Sequence, residues 1–134
     1  MESRAKAARS SSNSALSVAV ASIPSAGSWR ITYKLRAFIN ATASQGAQCA
    51  LYSITSTPGT TVLTNANLVS KSEVMIGFQN SGSASTQQMG IGVVRVTTTG
   101  AQDYSMGAYN VGAVNTDVFS DGNGRSDILV ERVG

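Results

Sequence analysis

Residues 28–40, Ser-Trp-Arg-Ile-Thr-Tyr-Lys-Leu-Arg-Ala-Phe-Ile-Asn, decide the fold class. Trp29, Ile31, Tyr33, Leu35, Ala37 and Ile39 fall on one parity; Arg30, Thr32, Lys34, Arg36 and Asn40 fall on the other. An apolar/polar period of two sustained this long is the pattern of a half-buried β-strand, because successive side chains of a strand point to opposite faces. Only Phe38 breaks it, near the strand end. Pro24, Ser25, Ala26 and Gly27 supply the turn before it. The reading places Ile31, Tyr33 and Leu35 in a core and sends Arg30, Lys34 and Arg36 to solvent or to an acidic partner.

The same logic extends in both directions. Upstream, Leu16, Val18 and Val20 alternate with Ser17, Ala19 and Ala21. Downstream, strand-like runs occupy residues 47–54, 60–64, 72–79, 86–98, 104–111, 114–120 and 126–133. Clusters of turn-forming residues separate them: 43–46, 57–59, 80–83, 99–101 and 121–124. Short strands at intervals of about 8–12 residues predict an all-β antiparallel sandwich or barrel, here of about eight to ten strands. Residues 3–9 admit a short helical reading with no good cap. In the run 86–98, Met89, Ile91 and Val93 share one face and Gly90, Gly92, Val94 and Val96 the other, so neither face is polar. Either a second subunit covers such a strand, with the glycines admitting a close backbone, or the glycines mark a bend or bulge.

With 134 residues the chain fits one domain. Hydrophobic residues make up 42% and charged residues 13%, about half the charge of an ordinary soluble domain, with Ser, Thr, Gly, Asn and Gln in their place. There is no histidine, and Cys49 is the one cysteine. A Ser-His-Asp triad, a Cys-His pair, a histidine metal site and an internal disulfide are therefore excluded, and the expectation is a protein that is not an enzyme and uses no cofactor. Charge is uneven. Residues 1–36 carry Arg4, Lys6, Arg9, Arg30, Lys34 and Arg36 against Glu2, a net +5, and the remainder carries four basic and six acidic residues, a net −2, which together give the overall +3. Three cations in the first nine residues are few for a phosphate footprint. No run approaches the roughly 20 apolar residues of a membrane span, and the Ser-rich stretch after the basic start is unlike a signal peptide. The protein is expected to be made, and to act or be assembled, in a cytoplasm.

The remaining motifs favour structure over chemistry. The loop Asp121-Gly122-Asn123-Gly124-Arg125-Ser126-Asp127 spaces oxygen ligands as a hard cation needs, but Arg125 opposes a cation, and a glycine-rich hairpin explains the loop better. Gly90-Ile91-Gly92 continues a strand where a phosphate loop would open a helix. Cys49 reads as a buried, inert thiol. Trp29 and Tyr33 share a strand with Arg30, Lys34 and Arg36 on the opposite parity, so no basic aromatic face for nucleic acid forms there.

Several short motifs taken together resemble a known family. The turn leading into Gly27-Ser28-Trp29-Arg30-Ile31-Thr32-Tyr33, then Leu51-Tyr52, then Tyr104-Ser105-Met106-Gly107-Ala108-Tyr109, then Ser120–Ser126 before Ile128–Gly134, is similar to tumour-necrosis-factor/complement-type jelly rolls. The likeness covers about residues 24–134 and is greatest to versions found in tailed-bacteriophage virions, both head decoration (cement) proteins and tail-fibre tips. It implies an antiparallel jelly-roll sandwich that forms a homotrimer through apolar and aromatic faces, for which Met89, Ile91, Val94, Val96, Tyr104 and Tyr109 are the candidates. It implies a binding or cementing role on a virion surface, with the major capsid protein as partner.

This chain departs from tail fibres in having no shaft, heptads or repeat before the roll. Residues 1–23 therefore read as a short arm with a first strand, and residues 24–134 as the jelly-roll domain. The arm is the expected capsid-docking element, through Arg4, Lys6 and Arg9 and through Leu16, Val18 and Val20, whose alternation suits a strand added to a neighbour's sheet. A receptor- or glycan-binding tip is the first alternative, and a small coat protein whose arm contacts nucleic acid the second.

Overall fold

A computed structural model describes residues 3–6, 15–41, 45–79, 84–111, 115–120 and 126–134. Among them are ten β-strands and no α-helix: β1 (Ser3–Lys6), β2 (Ala15–Ile23), β3 (Gly27–Ala41), β4 (Gln45–Tyr52), β5 (Val62–Leu63), β6 (Val74–Gln79), β7 (Ala84–Thr98), β8 (Gln102–Val111), β9 (Asn115–Ser120) and β10 (Asp127–Arg132). They form two five-stranded antiparallel sheets packed as a sandwich. The first sheet runs β1-β9-β3-β10, with β7 along the other edge of β3; the second runs β5-β2-β8-β4-β6. The chain changes sheet at most of its turns, in the manner of a jelly roll. At the two sides of the sandwich β10 lies against β2 and β6 against β7.

The decisive stretch is the spine. β3 pairs with β7 over all fifteen residues, from Gly27↔Thr98 to Ala41↔Ala84. Its other edge pairs with β10 through Trp29–Lys34 and then with β9 through Arg36–Asn40. The period-two pattern maps onto burial: Trp29, Ile31, Tyr33, Leu35 and Ala37 are all buried and join Ile23, Cys49, Leu51, Ile76, Tyr104 and Met106 in the main core. Arg30, Thr32 and Lys34 lie on the outer side, partly exposed. Arg36 departs from the expectation: it is 8% exposed. At this residue β3 exchanges β10 for β9, and the crossing is tied by Ser126, whose Oγ accepts from the Arg36 N–H (2.9 Å) and donates to the Arg36 carbonyl (3.2 Å).

The glycines of β7 admit close packing from within the chain. Tyr33 is the direct cross-strand partner of Gly92, and its ring occupies the space that a Cβ there would need. The Tyr33 hydroxyl donates to the carbonyl of Ser72. The Gly90/Gly92/Val94/Val96 face of β7 is therefore covered by its own domain. The N-terminal residues add one strand to each sheet. Ser3–Lys6 pair antiparallel with β9, as a strand and not a helix, because an extended segment can use the otherwise open edge of β9. β2 lies inside the second sheet between β5 and β8, with Leu16 buried and Val18 packed against the core. Residues 15–23 thus form a strand of the sandwich itself, the first-strand reading of that segment.

Two substitutions test this packing. Leu35→Ala, at a fully buried site, is expected to cost about 2–5 kcal/mol in urea unfolding. Gly107→Ala places a Cβ 2.7 Å from Tyr52 Cε1 and 2.9 Å from Leu63 Cδ1, and is expected to cost about 1–3 kcal/mol by overpacking. A Lys34→Ala loss as large as that of Leu35→Ala would mean that the inner and outer faces of β3 are interchanged.

Candidate interaction surface

The two outer faces of the sandwich are finished differently. On the second sheet, residues 53–72 fold back over the strands. Their backbone is tied down by the Ser53 N–H donating to Asn67 O (2.8 Å) and the Val69 N–H to Leu51 O (2.9 Å). With Leu63 from this segment, Ala15, Ala50, Tyr52 and Tyr109 form a second buried cluster. A run of hydroxyls seals it: Ser17 and Ser56 share a hydrogen bond (2.6 Å), Ser56 and Ser105 another (2.6 Å), and Ser105 Oγ donates to Ile54 O (2.6 Å). At the rim, Ser22 and Thr55 both donate to the Asp103 carboxylate, at 2.7 and 2.8 Å, and hold it below its ordinary pKa. The Tyr109 hydroxyl donates to Glu73 Oε1 (2.5 Å), and burial, reinforced by that carboxylate, raises its pKa.

The first sheet has no such cover among the described residues. Its outer face can be read row by row across β7, β3 and β10: Ile91–Lys34–Asp127, Val93–Thr32–Leu129, Arg95–Arg30–Glu131. Met89 extends the β7 column opposite Arg36. Ile91 and Val93 are each 57% exposed, Leu129 56% and Met89 46%. Exposed apolar side chains gathered on one sheet face in this way often mark an interaction site. Cations border the stripe. Arg30 is bound to Glu131 through Nη2–Oε1 at 3.1 Å, with both side chains over 40% exposed, so this pair orders the face more than it stabilises the fold.

The sequence-predicted residues divide as follows. Met89 and Ile91 lie on the bare face. Val94 and Val96 pack against the core from the opposite side of the strand. Tyr104 is 6% exposed in the main core, and Tyr109 3% exposed under residues 53–72. Period two turns Val94, Val96 and Tyr104 into the main core and Tyr109 to the outer side of the second sheet, so the six candidates do not share one face. Leu16 and Val18 are likewise committed to their own sandwich; Val20 is partly exposed. Arg4 and Lys6 sit on β1, which among the described residues pairs through one edge, at register positions Phe119 and Asp117 of β9. Arg9 and the loop 121–125 lie outside the described residues, among which no cluster of metal ligands occurs. Val93 and Leu129 were missed as surface candidates. The first shares parity with Met89 and Ile91, whereas the second is visible only once the register across Thr32 is known.

Cys49 is buried, and burial pushes its thiol up to about 12, which makes it inert. Arg132 lies over the Trp29 ring, 5.6 Å from its centroid, and shields that end of the core.

No protein-family model and no curated protein matches the chain. Among solved structures it is similar to a chain of the "Structure of infectious bursal disease virus Gx strain", at 12% identity and a TM-score of 0.41, over 99% of this chain and 34% of that one. The chain thus spans about a third of that protein's length. The class that the fold itself defines is an all-β, two-sheet antiparallel sandwich.

The buried tyrosines give the fold an alkaline limit. Burial first, and the nearby Cys49 second, push Tyr33 from 10.0 to about 12. A group whose pKa is raised in the folded state contributes stability that is fully present below its unfolded value and is lost as pH climbs through the folded one. Unfolding midpoints in urea should therefore be flat up to about pH 9, where the Cys49 thiol begins to contribute, and fall more steeply from pH 10 towards pH 12 as the tyrosines join, with a shallower fall in Tyr33→Phe. An unchanged slope in that variant would remove Tyr33 from the account.

Proposed function

We propose that this chain is a virion structural protein, a homotrimeric decoration protein that sits on the capsid surface of a tailed phage and performs no catalysis. The observation that carries the reading is the asymmetry of the sandwich. One outer face is covered over Tyr52 and Tyr109 by the chain's own residues 53–72, and the other presents Met89, Ile91, Val93 and Leu129 to a partner. A domain that leaves one half-apolar sheet face bare is built to be covered. The resemblance of residues 24–134 to phage virion jelly rolls supports the same reading.

In this proposal the capsid contact is made by the N-terminal edge of the first sheet. Among the described residues β1 pairs with β9 alone, which leaves its other edge for a strand of the major capsid protein, and Arg4 and Lys6 bring positive charge to this strand. This replaces the free arm expected from sequence. A trimer engages three such edges at once, so that avidity exceeds the affinity of each.

The test is co-sedimentation with capsids. Deleting residues 1–12, and separately reversing charge with Arg4→Glu/Lys6→Glu, should leave the β-sheet circular dichroism spectrum intact and lower head occupancy at least tenfold. Unchanged occupancy in both variants would refute docking through β1. A protein that never binds heads but blocks adsorption to host cells would place the receptor- or glycan-binding reading first, and retention on nucleic acid would favour a small coat protein.

A further inference from the structure

The bare face has an internal charge order that identifies what covers it. Along β7 the outward residues are Met89, Ile91, Val93 and then Arg95; along β10 they are Asp127, Leu129 and Glu131. One column is apolar with a cation at its end, and the other is a leucine between two acids. Between them β3 contributes Arg30 and Lys34. We infer that the β7 column of one copy is covered by the β10 column of another copy of the same chain, with Val93 against the second copy's Leu129 and Arg95 against its Glu131.

Charge excludes the symmetric ways of joining two such faces. Stacking β10 on β10 sets Asp127 and Glu131 against the same acids. A two-fold axis along β3 does bring β7 over β10, but it also stacks Arg30 on Arg30 and Lys34 on Lys34. Like charges juxtaposed at an interface are strongly disfavoured. A contact of β7 to β10 between different patches avoids both conflicts. It is heterologous, so it either closes into a ring or runs on as a filament.

The strand directions make a ring natural. β7 and β10 are both antiparallel to β3 and hence parallel to each other. Rotation about an axis running along the strands keeps every row at one level. Val93 then meets Leu129 and Arg95 meets Glu131 with no shift in register, while Lys34 and Arg30 remain on their own sheet beside Asp127 and Glu131. One stripe is small against the roughly 800 Å² per partner of a stable pairwise interface. In a ring each copy uses both columns, one towards each neighbour, and a ring of three turns the bare faces towards the axis. This assignment rests on the trimeric reading above and names the surface that makes the trimer.

A paired-cysteine experiment tests it. Within one chain Val93 and Leu129 are separated by β3, roughly 9–10 Å at the spacing of neighbouring strands. A disulfide needs Cα atoms within about 7 Å, so a bond between these positions can only join two chains. In Val93→Cys/Leu129→Cys at low micromolar concentration, with circular dichroism confirming the fold, mild oxidation should give covalent species ending at the trimer. Each single-cysteine variant should give none, and Arg95→Glu added to the pair should lower the yield at least fivefold. Trimers in solution without cross-linking of the pair would overturn the inference. So would a ladder continuing to high mass, or efficient cross-linking of Val93→Cys alone. Capsid binding is scored separately: cross-linked trimers that ignore heads would leave the inference standing and defeat the decoration role, and head-binding by a protein whose pair never cross-links would do the reverse.

Discussion

The register between β3 and β7 is the constraint on which everything else hangs. Fifteen consecutive pairs lock two long strands edge to edge. Because side chains alternate, this single register settles which half of each strand enters the core. A slip by one residue would turn one strand over against the other, sending inward either Arg30 and Lys34, with Ile31, Tyr33 and Leu35 in water, or Arg95, and burial energetics tolerate neither. Tyr33 reinforces the lock. Its ring fits only over a residue without a side chain, which Gly92 provides, and its hydroxyl reaches Ser72 at the start of the path into β6. One residue thus joins the spine of the first sheet to the rim of the second.

From that lock follows the unequal finish of the two faces. The second sheet carries Tyr52 and Tyr109 on its outer side, and the chain spends residues 53–72 covering them. The first sheet carries Met89, Ile91, Val93 and Leu129 on its outer side and leaves them about half exposed. Completing their burial would contribute about 1 kcal/mol for each side chain, half of what full burial is worth. That is enough to favour assembly when several copies share it, and too little to hold one isolated pair against the entropy lost on association.

Much of the fold was legible in the sequence because β3 states its period over a full strand length. The runs that became β4, β6, β7, β8 and β10 could be placed to within about two residues because glycine and polar turns punctuate them. β1 was not legible: Ser-Arg-Ala-Lys has no apolar face, and only the open edge of β9 makes it a strand. β5 shrank from a five-residue expectation to Val62–Leu63, since that segment serves as a cover more than as a ladder. The surface was half legible. Parity separated Met89, Ile91 and Val93 from Val94 and Val96, but grouping both sets into one interface ignored what the same parity implied. Tyr104 and Tyr109 read as core from the residues and as interface from the family resemblance, because nothing local distinguishes an aromatic that packs on its own core from one that packs on a neighbour. Leu129 became visible only through its register with Thr32 and Val93.

In the proposed assembly the outer face of the first sheet is a buried interface. The methionines provide a direct measurement. Met75 and Met89 are almost equally exposed in the single chain, at 45% and 46%, and Met106 is fully buried. Met75 lies on β6 of the second sheet and Met89 on the bare face of the first. Brief peroxide oxidation of the assembled protein, read by peptide mass spectrometry, should convert Met75 readily to the sulfoxide while sparing Met89 and Met106. Dilution to the monomer should bring Met89 up to the rate of Met75. Equal oxidation of Met75 and Met89 in the assembled protein would contradict the account.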